Sequence, residues 1–170
     1  MGERDTGNFD EVDLALLESV ESDFDVSLEK LAGELDLSKS AVHYRLNKLK
    51  ENEVITGVTA DIDPEPFGLE MVAITEVSVT HDQGYSEEIG TQLGDVEGVE
   101  QVYYTMGDVD FVTITRVQNR EQMNAVIEAM VGIEGVNETS SRFVMNEIES
   151  TPRVLANMPA ESRQRLLDDE

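Results

Sequence analysis

Apolar residues recur every three or four positions through the first fifty residues, which is the spacing of a helix with one buried face. The pattern predicts three helices, at residues 10–21, 28–35 and 38–50. Ser38 stands where a hydroxyl can accept a hydrogen bond from the free N–H groups of the third helix. Only Asp36 and Leu37 separate the second helix from the third, and so short a turn is typical of a helix-turn-helix unit.

The pattern changes beyond residue 70, where apolar positions alternate along strands and recur at helical spacing between them. The predicted order is strand 71–80, helix 86–93, strands 99–105 and 109–117, helix 121–130 and strand 137–148. This order is the ferredoxin-like βαββαβ pattern. Both helices of such a fold cover one face of the sheet, so the other face is expected to be covered by a second subunit.

The intervening residues predict the domain boundaries. Residues 54–62 are predicted to form a wing strand that leaves the third helix, and the run Asp63-Pro64-Glu65-Pro66-Phe67-Gly68 is rich in turn formers. The predicted organisation is a helix-turn-helix domain at 1–62, a linker at 63–68, a ferredoxin-like ligand-binding and oligomerisation domain at 69–150, and an acidic C-terminal extension at 151–170. The sequence of the extension is compatible with two structures, an arm that packs on a partner subunit and a frayed tail.

Charge separates the third helix from the rest of the chain. The chain has 37 acidic and 12 basic residues, a net charge of −25, yet residues 38–50 contain four of the basic residues and no acid. An island of opposite charge indicates an oppositely charged partner, and the natural partner of a basic helix is the phosphate backbone of DNA. The alternative is a solvated amphipathic helix with ordinary surface lysines.

The outward face of this helix offers hydrogen-bonding groups for base edges and phosphates. Val42, Leu46 and Leu49 form its apolar stripe, which leaves the remaining residues for the groove. The residues expected to contact DNA are Ser38, Lys39, Ser40, His43, Tyr44, Arg45, Asn47 and Lys48.

Several motifs, in order, resemble the leucine-responsive (Lrp/AsnC, feast/famine) family of transcriptional regulators. They are Asp10 with Asp13-Leu14, Leu31-Ala32, Leu37-Ser38-x-Ser40-x-Val42-x-x-Arg45-Leu46, Leu49, Val54-Ile55, Gly57, the 63–68 linker, Met106-Gly107-Asp108-Val109-Asp110-Phe111 and Gly135-Val136-x-x-Thr139. The resemblance implies an α+β regulator that binds promoter DNA as a dimer or octamer. One departure is Glu53, where the family often has Gly, so Asn52 is expected to adopt the left-handed conformation instead.

The family resemblance also places a small-molecule effector, commonly an amino acid, at the loop around Gly107-Asp108. Asp108 or Asp110 would accept hydrogen bonds from its ammonium group, and backbone N–H groups would hold its carboxylate. Thr139, Ser140 and Ser141 resemble the hydroxyl-bearing wall of that pocket. The plain alternative is a tight hairpin with a structural glycine.

Composition narrows the remaining classes. The absence of cysteine excludes disulfides and thiolate metal sites. An enzyme is disfavoured because no nucleophile or acid–base pair stands at a defined spacing, and His81-Asp82 is more typical of surface than of a metal site. We therefore expect a cytoplasmic regulator without cofactor or metal. The rival hypothesis is an effector-binding or scaffold protein of the same fold that does not bind DNA.

The acidity of the chain has its own interpretation. Only four residues are lysine, and the net charge of −25 would repel DNA in dilute salt. At about 1 M salt the screening length falls to about 3 Å, so direct contacts survive while long-range repulsion fades. The composition thus favours a protein adapted to the multi-molar salt of a halophilic archaeon.

Overall fold

The computed structural model describes residues 9–23, 25–80, 85–149 and 153–168. The chain divides into two compact units, one comprising Met1–Ala60 with Ser150–Glu170 and the other Asp61–Glu149. No helix among the described residues is long and apolar enough to span a membrane.

Three helices build the first unit, as the periodicity predicts: α1 (Glu11–Ser22), α2 (Leu28–Glu34) and α3 (Lys39–Glu51). Their core contains Leu16, Leu31, Ala32 and Val42. Asp10 caps α1 through a reciprocal capping box with Asp13, in which each carboxylate accepts from the other residue's backbone N–H. The three predicted helices are confirmed to within about one residue at each end, which is the usual uncertainty of helix boundaries.

The second unit is a four-stranded antiparallel sheet with two helices on one face. Its elements are β1 (Met71–Val79), α4 (Tyr85–Gly94), β2 (Val99–Tyr104), β3 (Phe111–Val117), α5 (Arg120–Val131) and β4 (Val136–Phe143). The strand order is β2-β3-β1-β4. The α+β fold class, a helix-turn-helix followed by a ferredoxin-like domain, is therefore confirmed.

The two faces of this sheet differ. Along β1, Ala73, Thr75 and Val77 are buried beneath α4 and α5, while Ile74 on the other face is 37% exposed. We call that second surface the open sheet face; it presents Ile74, Glu76, Tyr103, Val112, Ile114 and Arg142. Arg142 forms an ion pair with Glu76 across two strands, which lowers the pKa of that carboxyl. Val72, at one end of this face, is buried, whereas the six residues named above are half-buried or exposed.

Two predicted strand segments are wrong. Residues 54–62 form no strand, and β4 ends at Phe143 rather than at residue 148. An extended segment becomes a strand only when its backbone groups pair with a neighbour. The Val144 N–H still donates to the Val72 carbonyl of β1 at 2.9 Å, but residues 54–62 and 145–148 pair with no strand among the described residues. Ile62 and Ile148 are correspondingly exposed, at 65% and 91%.

The C-terminal segment returns to the first unit. A turn over residues 154–157 leads to α6 (Ala160–Asp168). The carboxylate of Glu21 on α1 accepts hydrogen bonds from the backbone N–H groups of Val154, Leu155 and Ala156. The neighbouring Glu18 binds the Arg163 guanidinium at 2.9 Å. The segment thus packs on the first unit of its own chain, whereas the sequence analysis allowed either an arm on a partner subunit or a frayed tail.

Candidate functional site

α3 is held with one face buried and the other free. Ser38 caps the helix, its Oγ accepting from the Ala41 N–H at 3.1 Å. Val42 and Leu49 are buried, so the helix is fixed to the core along the predicted stripe. The opposite face exposes Ser40, His43, Tyr44, Asn47 and Lys48. The polar side chains of this face are therefore exposed while the helix stays fixed to the core.

The turn between α2 and α3 fixes the angle of the exposed helix. Asp36 adopts a left-handed conformation with φ of 53°. The Leu37 N–H then donates to the Ala32 carbonyl at 2.9 Å, which closes the end of α2. Aspartate tolerates this conformation better than most residues. Ser38 follows directly, so one residue in a left-handed conformation reverses the chain between the two helices.

The polar residues on the exposed face are poised for contact. Tyr44 is 69% exposed, and His43 Nδ1 lies 3.3 Å from Asn47 Nδ2 on the same face. Lys39 forms an exposed ion pair with Glu29 at 2.7 Å. An exposed pair of this kind contributes little stability, about 0–1 kcal/mol, and can open to release the lysine. Lys48 is exposed in the last turn of α3.

Arg45 differs from the other predicted DNA contacts because its guanidinium is paired with two carboxylates at the start of α1. Its Nη1 lies 2.7 Å from a carboxylate oxygen of Asp10 and 2.7 Å from one of Asp13. Burial alone would raise the pKa of Asp10, but hydrogen bonds from the Asp13 N–H and from Arg45 outweigh it and lower that pKa. Arg45 thus ties α3 to the N-terminus of α1, so the sequence assigned a DNA contact to a side chain that the structure uses within the domain.

The end of α3 also corrects an expectation. Asn52 keeps a negative φ of −84°, and Glu53 takes the left-handed conformation with φ of 57°. The Val54 N–H donates to the Leu49 carbonyl at 2.9 Å and the Glu53 N–H to the Lys50 carbonyl at 3.0 Å. These two bonds form a Schellman motif whose left-handed position is Glu53, so the prediction for Asn52 is wrong.

The candidate effector loop joins β2 and β3. Gly107 has φ of 150°, a value that side chains rarely adopt, and a Cβ built there would meet no atom within 4 Å. Asp108 is exposed beside it. The loop therefore leaves open space around Gly107 and a free-standing carboxylate next to it, both of which the predicted ammonium and carboxylate contacts require.

Asp110 is buried and has a structural role in the fold. Its side chain accepts a hydrogen bond from the Val79 N–H at 2.8 Å, and its backbone N–H donates to the Val77 carbonyl. A buried carboxylate is stable only when such partners replace water. Asp110 thus fixes the end of β1, and of the two predicted carboxylates Asp108 alone is exposed.

The three hydroxyl residues of β4 do not share a wall. Thr139 pairs with Val77 and Ser141 with Thr75 on the helix-covered face, while Ser140 pairs with Glu76 on the open sheet face. Successive strand residues point to opposite faces, which the sequence proposal overlooked. The Ser141 hydroxyl is engaged with that of Thr75 at 2.8 Å.

Thr139 is the hydroxyl residue nearest to the loop by register. Phe111, which follows the loop directly, pairs with Val77 from the other side of β1. Two neighbouring strand spacings, about 10 Å, separate it from Thr139.

No group of three or more metal-binding side chains occurs among the residues that the structure describes. His81 and Asp82, the weak metal candidate, lie outside the described residues.

A cleft of about 700 Å³ flanks α3, and sequence reasoning did not predict it. It is lined by Phe9, Asp10, Glu11 and Asp13 near α1, by Ala41, Tyr44, Arg45 and Lys48 of α3, and by Gln164 and Leu167 of α6. The sole local signal was the apolar pair Leu166-Leu167 in a polar tail. That pair predicts a buried side of a helix but not the surface on which the helix docks.

Known families match both units. Residues 9–56 match a family model described as winged helix-turn-helix DNA-binding, and residues 72–154 match one described as Lrp/AsnC ligand binding domain. The HTH-type transcriptional regulator FL11 of Pyrococcus horikoshii is 32% identical over 142 residues, which cover 84% of this chain and 93% of that protein. The HTH-type transcriptional regulator LysM of Sulfurisphaera tokodaii is 35% identical over 136 residues, 80% of this chain and 94% of its own.

Solved structures agree with these matches. A transcriptional regulator from Neisseria meningitidis in complex with L-Met superposes with a TM-score of 0.81 at 21% identity, covering 88% of this chain and 97% of that one. A feast or famine regulatory protein from M. tuberculosis complexed with L-methionine gives 0.78 at 25% identity, covering 86% and 98%. The first of these shows the similarity of fold.

Proposed function

The chain belongs to the Lrp/AsnC family of transcriptional regulators, and we propose that it controls transcription by inserting α3 into the major groove of promoter DNA in response to a small molecule bound by its second unit. As a member of this family it has a helix-turn-helix DNA-binding domain and an Lrp/AsnC ligand-binding domain. In this proposal the protein acts as a regulator and not as an enzyme. It acts in the cytoplasm, where its DNA target would be.

The exposed face of α3 carries the DNA-binding proposal. His43, Tyr44 and Asn47 offer hydrogen-bonding groups on one face of a helix whose other face is fixed to the core. Lys48 adds a cation at the end of this face for a phosphate. Each good base contact contributes about 1–3 kcal/mol of discrimination against the wrong base. Arg45 acts behind them by holding α3 to α1.

A homodimer is the proposed DNA-binding form, and dimers would associate further into an octamer. The open sheet face supports the dimer, because Ile74 is 37% and Tyr103 is 53% exposed there beside Val112 and Ile114. Apolar sheet faces of this kind are normally buried against another layer. Two symmetry-related copies of α3 would then read a pseudo-palindromic site, with half-sites about 34 Å apart.

The proposed effector is an amino acid. Asp108 would accept from the ammonium group, and the open backbone around Gly107 would admit the carboxylate. The two structural relatives solved with L-methionine support this class of ligand. Asp110 takes no part because its carboxylate is committed to the Val79 N–H.

The test has two stages. A thermal-shift screen against the protein amino acids identifies a stabilising ligand, with L-methionine as the first probe. Binding curves to promoter DNA are then measured with and without that ligand for the wild type, for Asp108→Ala and for Asp95→Ala, an exposed acid of the same unit. We expect Asp108→Ala to lose the response to the ligand and to keep ligand-free DNA binding, and Asp95→Ala to behave as wild type. A full response in Asp108→Ala would rule out this loop as the effector site.

A further inference from the structure

We propose that the C-terminal segment, residues 153–168, is an autoinhibitory arm that docks on α1 and restricts access of DNA to α3. The proposal rests on α3 being the DNA-reading helix and adds a means of control within the same chain. The curated relatives match 80–85% of the chain while covering 93–97% of their own length, and the ligand-binding family model ends at residue 154. Helix α6 therefore lies beyond the part that the family model describes.

The arm is attached by specific contacts and not by general packing alone. Three consecutive backbone N–H groups, from Val154 to Ala156, converge on the Glu21 carboxylate. Hydrogen bonds to a charged acceptor are roughly twice as strong as those between neutral groups. The ion pair between Arg163 and Glu18 adds a second attachment one turn earlier on α1. The Glu21 and Glu18 side chains therefore dock the arm.

The docked arm ends beside the recognition surface. Gln164 and Leu167 of α6 line the same cleft as Tyr44 and Lys48 of α3. These two α3 residues belong to the surface that the proposed function assigns to DNA. A duplex that contacts Tyr44 and Lys48 must share this space with the end of α6.

Negative charge around the cleft also opposes DNA binding, in addition to the space that the end of α6 occupies. The C-terminal end of a helix carries a partial negative charge, and α6 ends at Asp168, one residue after Leu167 of the cleft. The cleft already contains the carboxylates of Asp10, Glu11 and Asp13 against two cations, of which Arg45 is paired within the domain. A phosphate approaching Lys48 thus meets like charges that the docked arm reinforces. The arm consequently weakens DNA binding while it is docked.

The arm also gives the chain a second covalent route between its two units. The first unit leads into the second at residue 61, and the chain returns to the first unit at residue 150. The linker is therefore not the sole connection through which the ligand-binding unit can influence α3. A change in the second unit that pulls on residues 144–149 would release the arm, with no change needed in the arrangement of subunits.

The experiment compares DNA binding by the full chain, by a chain ending at Glu149 and by the full chain with Glu21→Ala. Glu34→Ala, an exposed carboxylate of α2, is the matched control. The probe is a promoter duplex of about 30 base pairs, roughly three helical turns. We expect the truncated chain and Glu21→Ala to bind about fivefold more tightly than the full chain, the effect of about 1 kcal/mol, and Glu34→Ala to bind as wild type. If the truncated chain does not fold, Glu21→Ala decides the question.

A second measurement reports on the arm itself. Hydrogen exchange at the amides of residues 154–156 is expected to be slow in the free protein and faster when DNA is bound. Equal binding by full and truncated chains, or unchanged exchange on DNA binding, would overturn the arm while leaving DNA recognition intact. If neither the full wild-type chain nor any variant binds the promoter duplex, the proposed function fails and the arm proposal fails with it.

Discussion

Glu53 ends the recognition helix in a backbone conformation that is costly for a residue with a side chain, so Glu53→Gly is expected to stabilise the DNA-binding unit. Its φ of 57° lies in the left-handed region. The hydrogen bond from the Val54 N–H to the Leu49 carbonyl, at 2.9 Å, requires that conformation. The substitution keeps this hydrogen bond and removes the steric cost of the Cβ.

The size of the effect follows from two opposing terms. A left-handed residue other than Gly costs roughly 1–2 kcal/mol. Gly also gives the unfolded chain more conformational freedom, which lowers the free energy of unfolding by about 0.4–1 kcal/mol. Taking the middle of each range, the net gain is about 0.8 kcal/mol, which for a unit of this size raises the melting temperature by about 3–6 °C.

Thermal unfolding followed by circular dichroism at high potassium chloride is the assay, with two control variants. Asn52→Gly should lower the melting temperature, because Asn52 has φ of −84° and gains nothing from Gly. Glu53→Gln removes the charge but keeps the side chain, so it separates relief of charge repulsion from relief of strain. A higher melting temperature for Asn52→Gly, together with no increase for Glu53→Gly, would contradict the left-handed conformation of Glu53. It would instead favour Asn52 as the left-handed residue.

Three further predictions concern the second unit and the whole chain. The Thr115 hydroxyl is buried without a hydrogen-bond partner among the described residues, so Thr115→Val should raise the free energy of unfolding by about 1 kcal/mol. Thr75→Val removes the hydrogen bond to Ser141 and should lower it. A denaturant titration measures both variants. The hydrogen bond from Arg116 lowers the pKa of Glu147, so the stability that this pair contributes is present above a glutamate's ordinary pKa and is lost as pH falls through the lowered value. The stability difference between wild type and Glu147→Gln should therefore be largest above about pH 5 and shrink below about pH 4. If the acidity is an adaptation to salt, the melting temperature should fall as potassium chloride is withdrawn, because the charges that sum to −25 then repel one another; a flat or rising curve would contradict the halophilic interpretation.

Local patterns were enough to predict most of the fold. Val42 and Leu49 recur at helical spacing and are buried as expected, and Ser38 caps α3. The predicted strand at 71–80 is likewise present as β1, in which Ala73 and Val77 are both buried on the covered face. These features depend on residues close together in the sequence, so a periodic pattern contains the necessary information.

The sequence does not predict contacts between residues that are distant along the chain. Arg45 has the composition of a DNA contact, but its partner Asp13 lies 32 residues earlier. Asp110 belongs to a motif that suggests a ligand, yet it is buried against Val79, 31 residues away. The docking of residues 154–156 on Glu21 spans more than 130 residues. Pairings over such separations leave no periodic trace along the chain.

The central claim is that the exposed face of α3 binds DNA, and charge reversal at Lys48 tests it most directly. Lys50 provides the matched control, because it is an exposed lysine two residues further, about 200° around the same helix. The affinity for a promoter duplex is measured across a potassium chloride titration for the wild type, Lys48→Glu and Lys50→Glu. We expect Lys48→Glu to weaken binding and to reduce the salt slope by about one, and Lys50→Glu to bind like the wild type. Equal effects of the two reversals, or none from Lys48→Glu, would contradict the central claim.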